Sequence, residues 1–80
     1  MSGPTFKVDA RGMGCPGPIT EVIKVYRKAK NGDVIEVLAT DMGFKKDIEA
    51  WTKRTKNELV TLEETGDGVI RAVIKVTGKA

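Results

Sequence analysis

Phe6, Val8 and Ala10 alternate with Lys7, Asp9 and Arg11, the period of two expected where one face of a strand is buried. From residue 19 the period changes. Ile19, Val22, Ile23, Tyr26 and Ala29 recur at spacings of three and four and gather on one side of a helix, whose other side takes Glu21, Lys24, Arg27 and Lys28. Pro16 suits the start of that helix, where its missing N–H costs nothing, and Asn31-Gly32 offers the positive-φ residues that close one. Val34 to Ala39 is rich in β-branched residues and mostly apolar on both faces, as expected for an interior strand covered on one side and closely flanked. Asp41 reads as the N-cap of a second helix on which Phe44, Ile48, Trp51 and Thr55 recur, while Lys45, Lys46, Lys53, Arg54 and Lys56 lie largely away from that stripe. Two further strands, Leu59 to Glu64 and Val69 to Val76, meet across Thr65-Gly66-Asp67-Gly68, with Ile70, Ala72, Ile74 and Val76 on one face.

The order is strand, helix, strand, helix, strand, strand. Strands joined through a helix run parallel with a right-handed crossover, and a hairpin is antiparallel, so the sheet is mixed. One apolar stripe per helix places both helices on the same face. The expected fold is an α/β (α+β) two-layer sandwich, β-α-β-α-β-β, with a mixed four-stranded sheet. Residues 6–77 form a single domain behind a flexible N-terminus, residues 1–5, and only the termini read as loose. Val34, Leu38, Val69 and Val73 make the other sheet face partly apolar; ordinary exposed strand residues are the plainer reading of them, a partner surface the other.

Composition narrows what such a domain can do. At 80 residues the chain is just large enough for a core without disulfides or metals. No apolar run approaches the roughly 20 residues that span a bilayer, and Met1-Ser2-Gly3-Pro4 shows no secretory pattern, so a cytoplasmic protein that does not engage membranes is expected. There is one cysteine and no histidine, which removes an internal disulfide, a thiolate-imidazolium pair and a His-based metal site. No metal is expected. The net charge of +3 is enough to favour acidic partners but less than nucleic-acid binders usually concentrate.

The chemistry is concentrated in Arg11-Gly12-Met13-Gly14-Cys15-Pro16-Gly17-Pro18. Gly12 to Gly17 matches the dinucleotide fingerprint G-x-G-x-x-G with Glu36 about 20 residues on. That match fails because so short a sheet cannot build the dinucleotide fold and the two prolines delete amide donors a pyrophosphate needs. The glycines instead allow a sharp turn that leaves Cys15 uncovered. A free cysteine is often a small buried hydrophobe. In a glycine loop at the end of a parallel strand and the start of a helix, it is better placed as a thiolate, because the unpaired N–H groups and dipole there favour negative charge. Such positions can lower a thiol pKa from about 8.5 to roughly 3.5–7.5, and Arg11 would add to this if it folds back toward the sulfur.

With Asp9-Ala10-Arg11-Gly12 leading into Cys15-Pro16-Gly17-Pro18, the chain resembles the TusA-like (SirA/YedF-type) sulfur-carrier family and its C-P-x-P motif. Gly32-Asp33, Thr40-Asp41 and Lys46-Asp47-Ile48 also sit where that family places similar residues, and the likeness runs from about Phe6 to Val76. Met42-Gly43 departs from it, since many relatives carry proline after the acidic residue. The resemblance implies a fold similar to the C-terminal domain of bacterial translation initiation factor three. It also implies a persulfide relay: Cys15 as the persulfide-carrying nucleophile, supported by Arg11, Gly12, Gly14, Pro16, Gly17 and Pro18. Sulfane sulfur would come from a cysteine desulfurase or rhodanese-type donor protein and pass to an acceptor protein serving tRNA thiolation, cofactor synthesis or sulfur metabolism.

A lone nucleophile without base, resolving cysteine or metal suits a sulfurtransferase-like carrier better than a stand-alone catalyst; a monomer is expected, with no cofactor beyond the covalent persulfide sulfur. Lys45, Lys46, Lys53, Arg54 and Lys56 are candidates for docking a partner's acidic surface; a solvated helix face is the plainer reading. The rivals are an RNA-binding or regulatory module without sulfur transfer, and a thiol-based redox or selenium-handling protein. Trp51 reads as core rather than a base-stacking platform.

Overall fold

In the computed structural model, which describes residues 5–14 and 17–79, the alternation at the start of the chain becomes strand β1 (Thr5–Ala10) and is followed by helix α1 (Gly17–Lys28) and strand β2 (Val34–Ala39). Helix α2 (Phe44–Thr55) then leads to the hairpin of β3 (Glu58–Glu64) and β4 (Ile70–Lys75). The sheet order is β1-β2-β4-β3, with β1 parallel to β2 and the other two pairings antiparallel. Both helices cover one face. Their stripes meet Val8, Ala10, Ile35, Val37, Ala39, Ile70, Ala72 and Ile74, all buried, over a core closed by Val22, Phe44, Ile48 and Trp51. The expected two-layer sandwich is the observed one.

β3 holds a feature that periodicity alone does not show. Leu59 pairs with Ile74 and Leu62 with Ala72, and the register shifts between Leu59 and Thr61. Three residues apart, Leu59 and Leu62 would face opposite sides of a regular strand. The extra residue at the shift returns both to the core face, where both pack on it, and Val60 stays 51% exposed.

Several local expectations are corrected. Thr5, placed in the loose N-terminus by sequence, opens β1, whereas Arg11 lies past its end. Val69 precedes β4 and accepts the Thr65 N–H at 2.7 Å, closing the hairpin rather than lining the sheet. Gly32 alone, at φ +98°, takes the positive φ expected of Asn31-Gly32. Asp41 is not the N-cap of α2: that position is Gly43, without a side-chain cap. Asp41 sits two residues earlier and organises the turn, its carbonyl accepting the Phe44 N–H at 3.0 Å and its Oδ1 the Gly43 N–H at 3.3 Å. At the other end of α2, Lys56 adopts the left-handed conformation (φ 61°) that glycine usually supplies.

The C-terminus is tied down rather than loose. Asn57 Oδ1 accepts N–H groups from Thr77 (3.0 Å) and Gly78 (2.8 Å), and its Nδ2 donates to Thr55 Oγ1 (2.8 Å). A Cβ on Gly78 would collide with the Thr55 carbonyl oxygen, so only glycine lies this close to the helix end. Lys79 Nζ donates to the Tyr26 and Ala29 carbonyls at 2.5 and 2.6 Å, satisfying the last carbonyls around the end of α1, and lies 4.5 Å over the Tyr26 ring. Because side chains outside any apolar stripe make this strap, hydrophobic patterning carries no sign of it. Asn57→Ala strands two donors at a buried position and is expected to cost about 2 kcal/mol, read from urea unfolding. Asn57→Asp, which keeps the acceptor, should lose less; a loss below about 0.5 kcal/mol in the alanine variant would show that the strap is not formed in solution.

The open sheet face is held by charge. Arg71 donates from Nε and Nη1 to Glu36 (2.9 Å) and Glu63 (3.1 Å), on the strands to either side of β4. Val34, Leu38 and Val73 beside it are only half-exposed, which fits ordinary strand residues rather than an apolar patch.

Candidate functional site

Parallel pairing delivers the carboxyl ends of β1 and β2 side by side, where α1 and α2 begin. The β3–β4 hairpin tip comes to the same end, because Ala39 pairs with Ile70. In sheets with parallel strands this is the end at which loops build sites.

The loop after β1 is shaped by three contacts. Arg11 donates its backbone N–H and Nε to Asp9 Oδ1 (3.2 and 2.8 Å) and Nη2 to Asp9 Oδ2 (2.8 Å), a two-pronged clamp on a carboxylate two residues back. Gly12 turns the chain at φ +82° and donates its N–H to Thr40 Oγ1 at 2.8 Å, joining this loop to the one after β2. Met13 N–H returns to the Ala10 carbonyl at 3.2 Å. Beyond, Gly17 N–H donates to the Gly14 carbonyl at 2.7 Å, and a Cβ on Gly17 would sit 3.0 Å from Met13 Cβ, so the helix start packs on Met13 at glycine distance. Gly14 has open space around it, and Pro18, in the first turn of α1, is fully buried.

Cys15 and Pro16, at the centre of the sequence motif, lie outside the described residues. The Arg11 guanidinium pairs with Asp9 of β1, two residues back, with Asp67 at the hairpin tip adding a weaker attraction; the help expected of it at the sulfur falls on Cys15, outside the described residues. Asp9 responds in kind: the Arg11 hydrogen bonds lower its carboxyl pKa from 3.8 to about 2. Whatever stability this exposed pair contributes is therefore present above pH 4 and lost as the pH falls through about 2. Arg11→Ala should return the Asp9 carboxyl to the ordinary range, followed by carboxyl carbon NMR across an acid titration; an unchanged midpoint would show that the clamp does not hold Asp9 in solution.

The β2–α2 loop completes the site. Asp41 Oδ2 is buried there without a hydrogen-bond partner among the described residues. Met42 is 59% exposed and Met13 38%, two thioethers on neighbouring loops. Sequence reading passed over Asp9, Thr40, Met13 and Met42 as functional candidates. The two methionines did carry a signal, being large apolar residues that fall on no stripe. Of the five basic candidates, Lys46, Lys53, Arg54 and Lys56 are exposed and Lys45 half-buried. Lys45 and Lys46 stand in the first turn of α2 beside Met42, and the others lie toward its far end. Trp51 is buried and packs edge-on against Tyr26, centroids 5.0 Å apart. Among the described residues no helix is long and apolar enough to cross a membrane.

A family model described as Sulfurtransferase TusA matches residues 6–76. A putative sulfur carrier protein of Archaeoglobus fulgidus is 45% identical over 60 residues, 75% of this chain and 82% of that protein. The sulfur carrier protein TusA of Allochromatium vinosum is 42% identical over 60 residues, 75% of this chain and 79% of that one. A putative sulfur carrier protein of Bacillus subtilis, YrkF, is 37% identical over 79 residues, but these span only 42% of its length. In fold, a SirA-like protein of Desulfitobacterium hafniense superposes with a TM-score of 0.78 over 94% of this chain and 99% of that one, at 22% identity. Element order and the match over residues 6–76 agree, and the chain belongs to the TusA sulfurtransferase family.

Proposed function

We propose that this protein is a sulfur carrier that takes up sulfane sulfur as a persulfide on Cys15 and relays it between proteins. The observation that carries the reading is the family match over residues 6–76, which takes in Cys15-Pro16-Gly17-Pro18 and the chain's only thiol. Relatives named as sulfur carriers support it. The chemistry is a thiolate exchange. The Cys15 thiolate attacks the outer sulfur of a donor persulfide, a new S–S bond forms, the donor's S–S bond breaks, and the donor sulfur leaves as a thiolate. No net oxidation occurs, so no redox cofactor is needed, and the same step run toward an acceptor discharges the carrier. A thiolate with neither base nor resolving cysteine in its own chain suits reversible carriage. The donor in this reading is a cysteine desulfurase or rhodanese-type protein, and the acceptor serves tRNA thiolation, cofactor synthesis or sulfur metabolism.

Incubation with a cysteine desulfurase and cysteine, followed by intact-mass measurement, tests the reading. The expected result is a gain of one sulfur atom, reversed by a thiol reductant. No gain from a desulfurase, a rhodanese-type donor or a small persulfide would overturn it.

A further inference from the structure

The net charge of +3 conceals a segregation by layer. Residues 17–30 carry four basic side chains and one acidic, and residues 44–56 five basic and two acidic, so the helices and their following turns hold a net +6 while the rest of the chain holds −3. Among the described residues only one of these nine helical cations, Lys24, is ion-paired, to Glu21 at 3.0 Å, whereas Arg71 on the sheet bridges Glu36 and Glu63. The placement runs against local preference. Lys45 and Lys46 share the first turn of α2 with Asp47, where the helix dipole disfavours cations and the N-cap, Gly43, offers no side chain. A merely solvated face needs neither this excess nor this position.

We propose that the helical layer is an electrostatic docking face for an acidic protein surface, that of the sulfur-exchange partner, which it steers toward the loop end of the sheet; this rests on the sulfur-carrier reading above. Charge complementarity sets the partner's sign, and the loop end sets its class. The apolar groups exposed there are the Met13 and Met42 thioethers, suited to protein contact. Among the described residues no aromatic ring is exposed for base stacking: Trp51 and Phe44 are buried and Tyr26 lies under Lys79. An acidic protein therefore fits this face better than RNA.

The test compares sulfur loading of the wild type, Lys46→Glu/Lys53→Glu/Arg54→Glu and the corresponding triple Gln variant, by an acidic cysteine desulfurase and by cysteine persulfide, a small zwitterionic donor. Reversal is expected to slow loading by the desulfurase about tenfold or more at low salt, with neutralisation intermediate. The difference should shrink toward 1 M salt, where the screening length falls to about 3 Å. Loading by cysteine persulfide should stay unchanged. Equal desulfurase rates in all three proteins, parallel losses with both donors, or a wild type loaded by cysteine persulfide but not by the desulfurase would overturn the docking face. So would tighter binding to a tRNA than to the desulfurase, lost in the same variants. A wild type loaded by neither donor would instead overturn the carrier reading.

Discussion

Cys15→Ser is expected to abolish sulfur loading outright, with no persulfide mass gained from any donor. The argument is chemical: the chain holds one thiol, a serine hydroxyl is not ionised near neutral pH, and oxygen is a far weaker nucleophile toward sulfur than a thiolate. Loading should fall from stoichiometric to background, a step change rather than a graded loss. Thermal melting of the variant checks that the fold survives a one-atom change, and Cys15→Ala should behave identically. The same spectra separate the rivals. A redox protein would yield mixed disulfides with glutathione but no sulfur gain from a persulfide donor, and an RNA-binding module would keep its function in both variants. Sulfur retained on the serine variant would mean that the sulfur is not carried at residue 15.

Trp51→Ala carries the second large effect, on stability. Trp51 is 4% exposed, at the centre of α2's buried stripe and edge-on to Tyr26 of α1. Truncating a buried Trp costs about 3–5 kcal/mol, part of it the aromatic pair. A domain of this length holds about 4–12 kcal/mol in all. The variant should therefore lose a quarter of its stability or more and melt at least about 12 °C lower, followed by circular dichroism. Trp51→Phe should recover much of the loss. A melting point within a few degrees of wild type would place Trp51 outside the core and reopen its reading as a stacking platform.

Patterning told less about the site than about the frame. The motif around Cys15 was legible because three glycines, two prolines and the only cysteine in eight residues have no use in a core. The clamp between Asp9 and Arg11 was not, since both residues read as the wet face of a strand and nothing in their spacing says that the guanidinium turns back. Thr40 is legible only as part of the Thr40-Asp41 pair in the family resemblance; its contact is not, because only parallel pairing brings a residue 28 positions away to the Gly12 N–H. Asp41 was the right residue in the wrong role, because a carboxylate ahead of a helix satisfies either the helix cap or the turn before it.

What the sequence determined by itself is the set of elements and their burial. Alternation at 6–10, stripes at 19–29 and 44–55, and the apolar run at 34–39 each bury one surface whatever their neighbours are, since removing apolar area from water is non-directional. The connections then dictate a parallel pair and an antiparallel hairpin. Tertiary structure decided what depends on direction and distance: the bulge that puts Leu59 and Leu62 on one face, the strap from Asn57 and Lys79, the clamp on Asp9, and the gathering of the cations onto one layer. Hydrogen bonds and ion pairs act over about 3 Å along specific vectors, and those vectors exist only once the strands are in register.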